Sequence, residues 1–328
     1  MVWEAMSRLG RGRPKSRGAL NTNIFIFMPF SLCMTVYSLE HSNGLAAQIA
    51  RKIGDELVFL EKKTFPDGEI YVRVPSKPKG LAVLVATMLP SQEKRFLELL
   101  LAAEALSAYA EGSVIAVIPY LAYARQDKRF LEGEPISVKV VLRSLETAGV
   151  SGLVTVDCHQ PRVLNEFLSV PSRNVLPFEE FASYFRGKVA NPLILAPDLG
   201  AVERARKVAE CMNAEFDYLV KERDKVTGEV KITPKSIDVS GKEVIIVDDI
   251  ISTGGTISHA AKSVLSSGAR SVKAACTHAV MVQGALDRLY YAGVEEVVAT
   301  DTVPSPVSKI SVAPALARGI RELIDEMI

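Results

Sequence analysis

From Met34 to the C-terminus, short runs rich in Val, Ile and Leu alternate with stretches whose apolar residues recur at helical spacing. This alternation constrains the fold more than any other feature. Parallel strands need long crossovers, usually helices, so it reads as α/β layering around a mostly parallel sheet. Runs at 81–88, 113–119, 152–156, 193–196, 243–247, 271–277 and 295–300 are expected to be buried strands. Helices fit between them. The stretch 92–110 places Phe96, Leu99, Leu100, Ala103 and Leu106 on one face and is expected to carry its charges opposite. Gly112 and Gly149 stand where helix C-termini favour a left-handed residue. Pro66-Asp67-Gly68 lies between two β-rich runs and predicts a hairpin.

A cluster of turn residues from Val170 to Asn174, continuing to Pro177, divides the chain into halves of similar size. No short-period repeat is visible, which excludes solenoids and propellers. The 328 residues suit about two domains, and 48% hydrophobic with 23% charged residues excludes a disordered or collagen-like chain. With 39 basic and 38 acidic side chains and no broad basic run in the body, no nucleic-acid partner is expected.

Residues 1–33 carry five basic side chains and one acid, so the net charge of +1 leaves the remainder mildly acidic, at −3. The apolar run Ile24 to Met28 superficially resembles a signal peptide. It is broken by Pro29, is too short to span a bilayer, and has no small-residue cleavage site after it. Residues 1–33 are therefore expected to be a loosely attached extension or a start set too early, with no membrane partner. Cys33, Cys158, Cys211 and Cys276 show no CxxC or zinc-ligand spacing, which suits packed, reduced thiols and a cytoplasmic protein.

The segment Val244-Ile245-Ile246-Val247-Asp248-Asp249-Ile250-Ile251-Ser252-Thr253-Gly254-Gly255-Thr256 carries the most chemistry. An apolar strand ends in two acids, then a Gly-rich loop enters a helix. Glycines let backbone N–H groups approach an anion, Thr253 and Thr256 add hydroxyls, and the helix presents its positive end. Carboxylates do not bind phosphate but do accept hydrogen bonds from sugar hydroxyls, so the combination points to a phosphorylated sugar. The plainer alternative is a strand-to-helix turn with a capping side chain.

This segment resembles the phosphoribosyl-diphosphate-binding loop shared by type I phosphoribosyltransferases and ribose-phosphate pyrophosphokinases. Four more segments, in order, resemble only the latter: Thr64 to Glu69 (TFPDGE), Pro119 to Arg129 (PYLAYARQDKR), Thr155 to His159 (TVDCH) and Ala196 to Gly200 (APDLG). The resemblance runs from about Met34 to the C-terminus. It implies diphosphoryl transfer from ATP to the C1 hydroxyl of ribose 5-phosphate, with Mg2+ as cofactor. No GxxxxGK followed by Ser or Thr occurs, so an ordinary P-loop kinase is disfavoured.

The implied fold is two similar doubly wound α/β domains with the active site in the cleft between them: 34–174 plus 310–328 on the ATP side, 175–309 on the ribose 5-phosphate side. The resemblance assigns Asp248, Asp249, Ser252, Thr253, Gly254, Gly255 and Thr256 to ribose 5-phosphate. It assigns Phe65, Asp67, Glu69, Arg125, Gln126, Asp127 and His159 to ATP, the hairpin residues acting in a neighbouring subunit's site. A homo-oligomer with a dimer as its minimum active unit is implied, and a tetramer or hexamer stays open. His159 and Asp198 are implied to hold the magnesium, and Lys221 and Arg223 to stabilise the transferring group from a closing loop. Glu222, Asp224 and Ser252 depart from the bacterial pattern toward the archaeal one. On their own chemistry, the cations could be solvated surface groups, and His159 a structural histidine. Three other readings stay open: a purine or pyrimidine phosphoribosyltransferase, a non-catalytic regulatory relative, and a sugar-phosphate-binding transcription regulator, the last disfavoured because no helix-turn-helix segment or basic stripe is visible.

Overall fold

The computed structural model describes residues 33–110, 113–223, 230–234 and 238–328, with backbone alone for 220–223 and 230–234. The expectations for residues 1–32 and for Gly112 and Asp224 lie outside the described residues.

The first half contains β1 (Met34–Ser38), α1 (Asn43–Ile53), β2 (Glu56–Phe59), β3 (Glu61–Thr64), β4 (Ile70–Arg73), β5 (Leu81–Val85), α2 (Gln92–Ala110), β6 (Val114–Ile118), α3 (Ser137–Thr147), β7 (Val150–Val156), α4 (Arg162–Phe167) and β8 (Ser172–Val175). Six of these strands form a sheet in the order β2-β1-β5-β6-β7-β8, every pairing parallel. β5 and β6 are buried at every position, which is what helices on both faces of a parallel sheet require. β3 and β4 make a separate antiparallel hairpin, with Gly68 at φ +98° in its turn.

The second half contains α5 (Phe178–Phe185), β9 (Pro192–Ala196), α6 (Val202–Met212), β10 (Glu215–Arg223), β11 (Val230–Pro234), β12 (Glu243–Ile251), α7 (Gly255–Ser266), β13 (Ser271–Ala279), α8 (Ala285–Tyr291), β14 (Val294–Thr300), β15 (Ser308–Ile310) and α9 (Ala313–Met327). Its sheet runs β11-β10-β9-β12-β13-β14-β15, parallel except for the β10–β11 hairpin. The molecule is thus the expected pair of doubly wound, mostly parallel α/β domains.

The last helix, α9, returns to the first sheet. Leu316, Ile320 and Leu323 share an apolar cluster with Val36, Val83, Val117 and Val154, and each buried side chain contributes roughly 1.5–3 kcal/mol. Gly319 permits the approach, since a Cβ there would lie 2.3 Å from a methyl carbon of Val175.

Three local expectations need correction. The charges of α2 do not all face solvent: Arg95 and Glu98 are buried, joined at 2.6 Å, and Lys62 of the hairpin reaches Glu98 at 3.2 Å. Two cations offset the charge of the one buried carboxylate, so helical periodicity alone misplaced it. The strand expected at 243–247 continues through Asp248 and Asp249 to Ile251, because Asp248 pairs with Cys276 and Ile250 with His278 in the ladder. Cys33 is exposed rather than packed, whereas Cys158 and Cys276 are buried.

Candidate active site

In the second sheet the strand order reverses between β9 and β12, and a crevice opens beyond the carboxyl ends of strands at such a switch point. Asp198 follows β9, while Asp248 and Asp249 occupy the end of β12. A cavity of about 290 Å³ lies there. Arg125, His159, Gln160, Asp198 and Arg204 line it together with every residue from Asp248 to Ile257.

The Gly-rich loop is braced from behind. The carbonyls of Ile251 and Ser252 accept from Met281 N at 2.9 Å and Val282 N at 3.0 Å, and the Thr253 carbonyl accepts from Arg288. Gly254 stands at φ +75° just before α7, and a Cβ there would lie 3.2 Å from the Ala285 carbonyl oxygen. The first N–H groups of α7 have no carbonyl of an earlier turn to bond, so they are available to an anion.

The two acids behave differently. Burial and the neighbouring Asp249 charge push Asp248 up to about 8. Burial also works against the Asp249 charge, but the hydrogen bond from His159 and the charge of Arg204 prevail and hold it well below the ordinary carboxylate range. His159 Nδ1 lies 2.5 Å from Asp249 Oδ2, linking the first half to the second. Asp198 Oδ1 accepts from Gly200 N at 2.9 Å, which fixes the turn that presents this carboxylate.

The other residues singled out in the sequence are placed less uniformly. Arg125 is exposed at the cavity, but Gln126 and Asp127 do not line it. The Gln126 side-chain oxygen accepts from Ser137 Oγ. Asp127 is buried beneath Arg162, whose Nη2 donates to Oδ2 at 2.5 Å. Burial opposes the Asp127 charge, but the guanidinium outweighs it and keeps the carboxyl below its ordinary range. Phe65, Asp67 and Glu69 sit on the exposed hairpin, away from this cavity. There Asp67 Oδ1 accepts from Glu69 N at 3.1 Å, and Lys63 Nζ lies 4.8 Å from the centre of the Phe65 ring. Lys221 and Arg223 belong to β10, opposite Ile232 and Val230, and their side chains lie outside the described residues.

Sequence reasoning missed Arg204, Asp157 and Thr277. Arg204 clamps Asp157 through two 2.8 Å bonds, and Thr277 Oγ1 donates to the same carboxylate at 2.6 Å. A lone Arg in an amphipathic helix and a Thr in a buried strand gave no signal. Asp157 lies inside a quoted motif, but nothing local named its partners.

Two family descriptions match the chain: "N-terminal domain of ribose phosphate pyrophosphokinase" over residues 34–149 and "Phosphoribosyl transferase domain" over residues 179–308. A ribose-phosphate pyrophosphokinase of Sulfurisphaera tokodaii is 42% identical over 85% of this chain and 97% of its own length. One from Methanopyrus kandleri is 41% identical over 88% of this chain and 99% of its own. The chain belongs to the ribose-phosphate pyrophosphokinase family. These relatives are archaeal, in line with the departures at Glu222, Asp224 and Ser252. A crystal structure of phosphoribosylpyrophosphate synthetase from Mycobacterium smegmatis superposes with a TM-score of 0.78 at 28% identity, covering 90% of this chain and 99% of that one. The phosphoribosyl transferase match spans Asp198, β12 and the loop that follows it.

Proposed function

We propose that the protein transfers the β,γ-diphosphoryl group of ATP to the C1 hydroxyl of ribose 5-phosphate, giving 5-phosphoribosyl 1-diphosphate and AMP. The observation that carries this reading is the single cavity in which the β12 acids and the Gly-rich loop face Arg125 and His159 of the other half.

In this reading the N–H groups and hydroxyls of Ser252 to Thr256 hold the 5-phosphate, and Asp248 and Asp249 hold the ribose hydroxyls. Arg125 neutralises ATP phosphates, and Gln126 and Asp127 support the segment that carries it. The C1 oxygen bonds to the β-phosphorus as the bond from that phosphorus to the α,β-bridging oxygen breaks; AMP departs with that oxygen, and the proton of the C1 hydroxyl is released to solvent. Little covalent work falls to the protein. Positioning two reactants can supply about 7–11 kcal/mol of the barrier, and Lys221 and Arg223 stabilise the charge on the transferring group.

The donor set fits Mg2+ carried on ATP, because this ion binds through one or two carboxylates and keeps waters and phosphates for the rest. Asp198 presents a half-buried carboxylate to the cavity, and His159 lines the same cavity, its contact with Asp249 made through Nδ1 and not Nε2. Among the described residues no three His, Cys, Asp or Glu side chains form a preassembled metal cluster. When bound, the ion would neutralise phosphate charge. Asp198 and His159 would hold it in place.

The exposed hairpin bearing Phe65, Asp67 and Glu69 suits contact with ATP in a neighbouring subunit, so we assign a homo-oligomer with a dimer as the minimum active unit. The domain division we assign is 34–174 plus 310–328 and 175–309. A cytoplasmic setting suits the unpaired cysteines. Among the described residues no helix is long and apolar enough to cross a membrane.

Incubation with Mg2+, ATP and ribose 5-phosphate, followed by phosphorus NMR, tests the reaction. Equal amounts of AMP and phosphoribosyl diphosphate are expected. ADP with a sugar bisphosphate would instead mean γ-phosphoryl transfer, and a folded protein that binds both ligands without turnover would be a regulatory relative.

A further inference from the structure

Asp157 directly follows β7 in the first sheet, is 2% exposed, and adopts φ +41°, a left-handed conformation uncommon for residues other than glycine, asparagine and aspartate. Its carboxylate is held by the other half of the molecule. Oδ2 accepts from Arg204 Nε at 2.8 Å and from Thr277 Oγ1 at 2.6 Å, and Oδ1 accepts from Arg204 Nη2 at 2.8 Å. Arg204 lies in the first turn of α6 and Thr277 in β13, both in the second half. His278, next along β13, lies with Nε2 3.1 Å from the Val156 carbonyl oxygen and with Nδ1 2.9 Å from Thr302 Oγ1. The end of β7 is therefore gripped at side chain and backbone by the second half.

A buried ion pair is weak evidence for stability, because desolvating both charges offsets much of their attraction. What a two-pronged guanidinium–carboxylate contact does supply is a fixed distance and orientation. Two residues beyond Asp157, His159 reaches Asp249 at 2.5 Å, and Arg204 itself lines the cavity. We propose that Arg204 and Asp157 form a clasp, seated on Thr277, that positions the ATP-side wall at His159 against the ribose-side wall at Asp248 and Asp249. Arg204 is thus a positioning residue for the reaction proposed above. The inference rests on that reading's assignment of one substrate to each wall.

Each wall is built largely from one half, so loosening the clasp leaves each substrate its own contacts and spoils their mutual alignment. The full-length Arg204→Met, Asp157→Asn, Arg204→Lys and Thr277→Val variants and the Arg204→Met/Asp157→Asn double variant test this. Calorimetry measures ribose 5-phosphate and ATP binding separately, and steady-state assays give kcat. In Arg204→Met, each Kd is expected to stay within about twofold while kcat falls about 10- to 100-fold, the scale of an ångström-sized misplacement. Asp157→Asn should match it, and the double variant should be no worse than the more damaged single one, because both break the same contact. Arg204→Lys keeps the charge without the fork and should recover only a small part. Thr277→Val, which leaves the ion pair intact, should show the same pattern at smaller size and carries the test if Asp157→Asn does not fold.

Unchanged kcat in folded Arg204→Met would overturn the proposal. So would losses that multiply in the double variant, or a substrate Kd that weakens in Arg204→Met but not in Asp157→Asn, since either gives Arg204 a role apart from Asp157. A parent protein that binds both substrates but yields no AMP and phosphoribosyl diphosphate would refute the proposed reaction instead.

Discussion

The two walls of the cavity are built on opposite plans. The ribose-side wall is one continuous piece of chain, β12 through the Gly-rich loop into α7, at the point where the second sheet reverses its strand order. The wall facing it is assembled from separate segments after β6 and β7, contributing Arg125 and then His159 with Gln160. The continuous wall follows from local rules, since a strand, a turn and a helix N-terminus together place N–H groups and carboxylates at one spot. The assembled wall depends on the two halves being held together. Damage to the first should therefore stay local, and damage to the second should spread to alignment.

The largest effect is expected at two cations of β10. Lys221→Ala and Arg223→Ala should each lower kcat at least ~100-fold with ribose 5-phosphate affinity nearly unchanged, as for groups that act only in the transition state. Single-turnover and binding measurements decide this, and unchanged turnover in both variants would remove the pair from the chemistry. Next, Arg125→Ala removes a charged hydrogen-bond donor worth roughly 1.5–3 kcal/mol, so ATP affinity should fall about 10- to 100-fold. Ribose 5-phosphate binding, read by calorimetry, should not move. An equal loss for both substrates would break the two-wall picture.

Gly254→Ala sharpens the comparison from the other side. The left-handed conformation costs a side-chain-bearing residue about 1–2 kcal/mol, and the added carbon would crowd the Ala285 carbonyl. Ribose 5-phosphate binding should weaken roughly tenfold while ATP binding holds. A variant that binds both as before would show that the loop does not need its present shape.

The smallest effect concerns the seam between the halves. Burial drives the His278 imidazole below its ordinary value, keeping it neutral among Tyr120, Asp157 and Thr302. The unfolded chain binds the proton at a higher pH than the folded one does. Stability therefore falls as pH drops below about 6.5, with a slope of at most about 1.4 kcal/mol per pH unit until the folded-state group also titrates. Thermal melts between pH 7 and pH 5 should show a shallower decline in His278→Gln than in the parent, and parallel declines would mean that other groups carry it.

What could be read locally was read well where one short segment builds the feature. The turn at Pro66-Asp67-Gly68 and the strands with their intervening helices came from periodicity and turn chemistry. Local reading failed where a partner lay far along the chain. Glu98 belongs inside because Arg95 and the distant Lys62 neutralise it, and β12 runs on through its acids because β13 continues to pair with them. The partners of Gln126 and Asp127, Ser137 and Arg162, were likewise not named by the local pattern around Arg125.

The sequence by itself determined the α/β alternation, the phosphate-cradling loop with its paired acids, and the ordered motifs that mark the family, because each is a property of contiguous residues with a fixed local geometry. Only the tertiary structure decided that His159 meets Asp249, and that Arg204 and Thr277 close on Asp157. Those contacts join residues separated by 47 to 120 positions in the two side-chain clusters around Asp157 and Asp249. Hydrogen bonds of that kind depend on how two separately built sheets are brought together, which no local pattern of residues encodes.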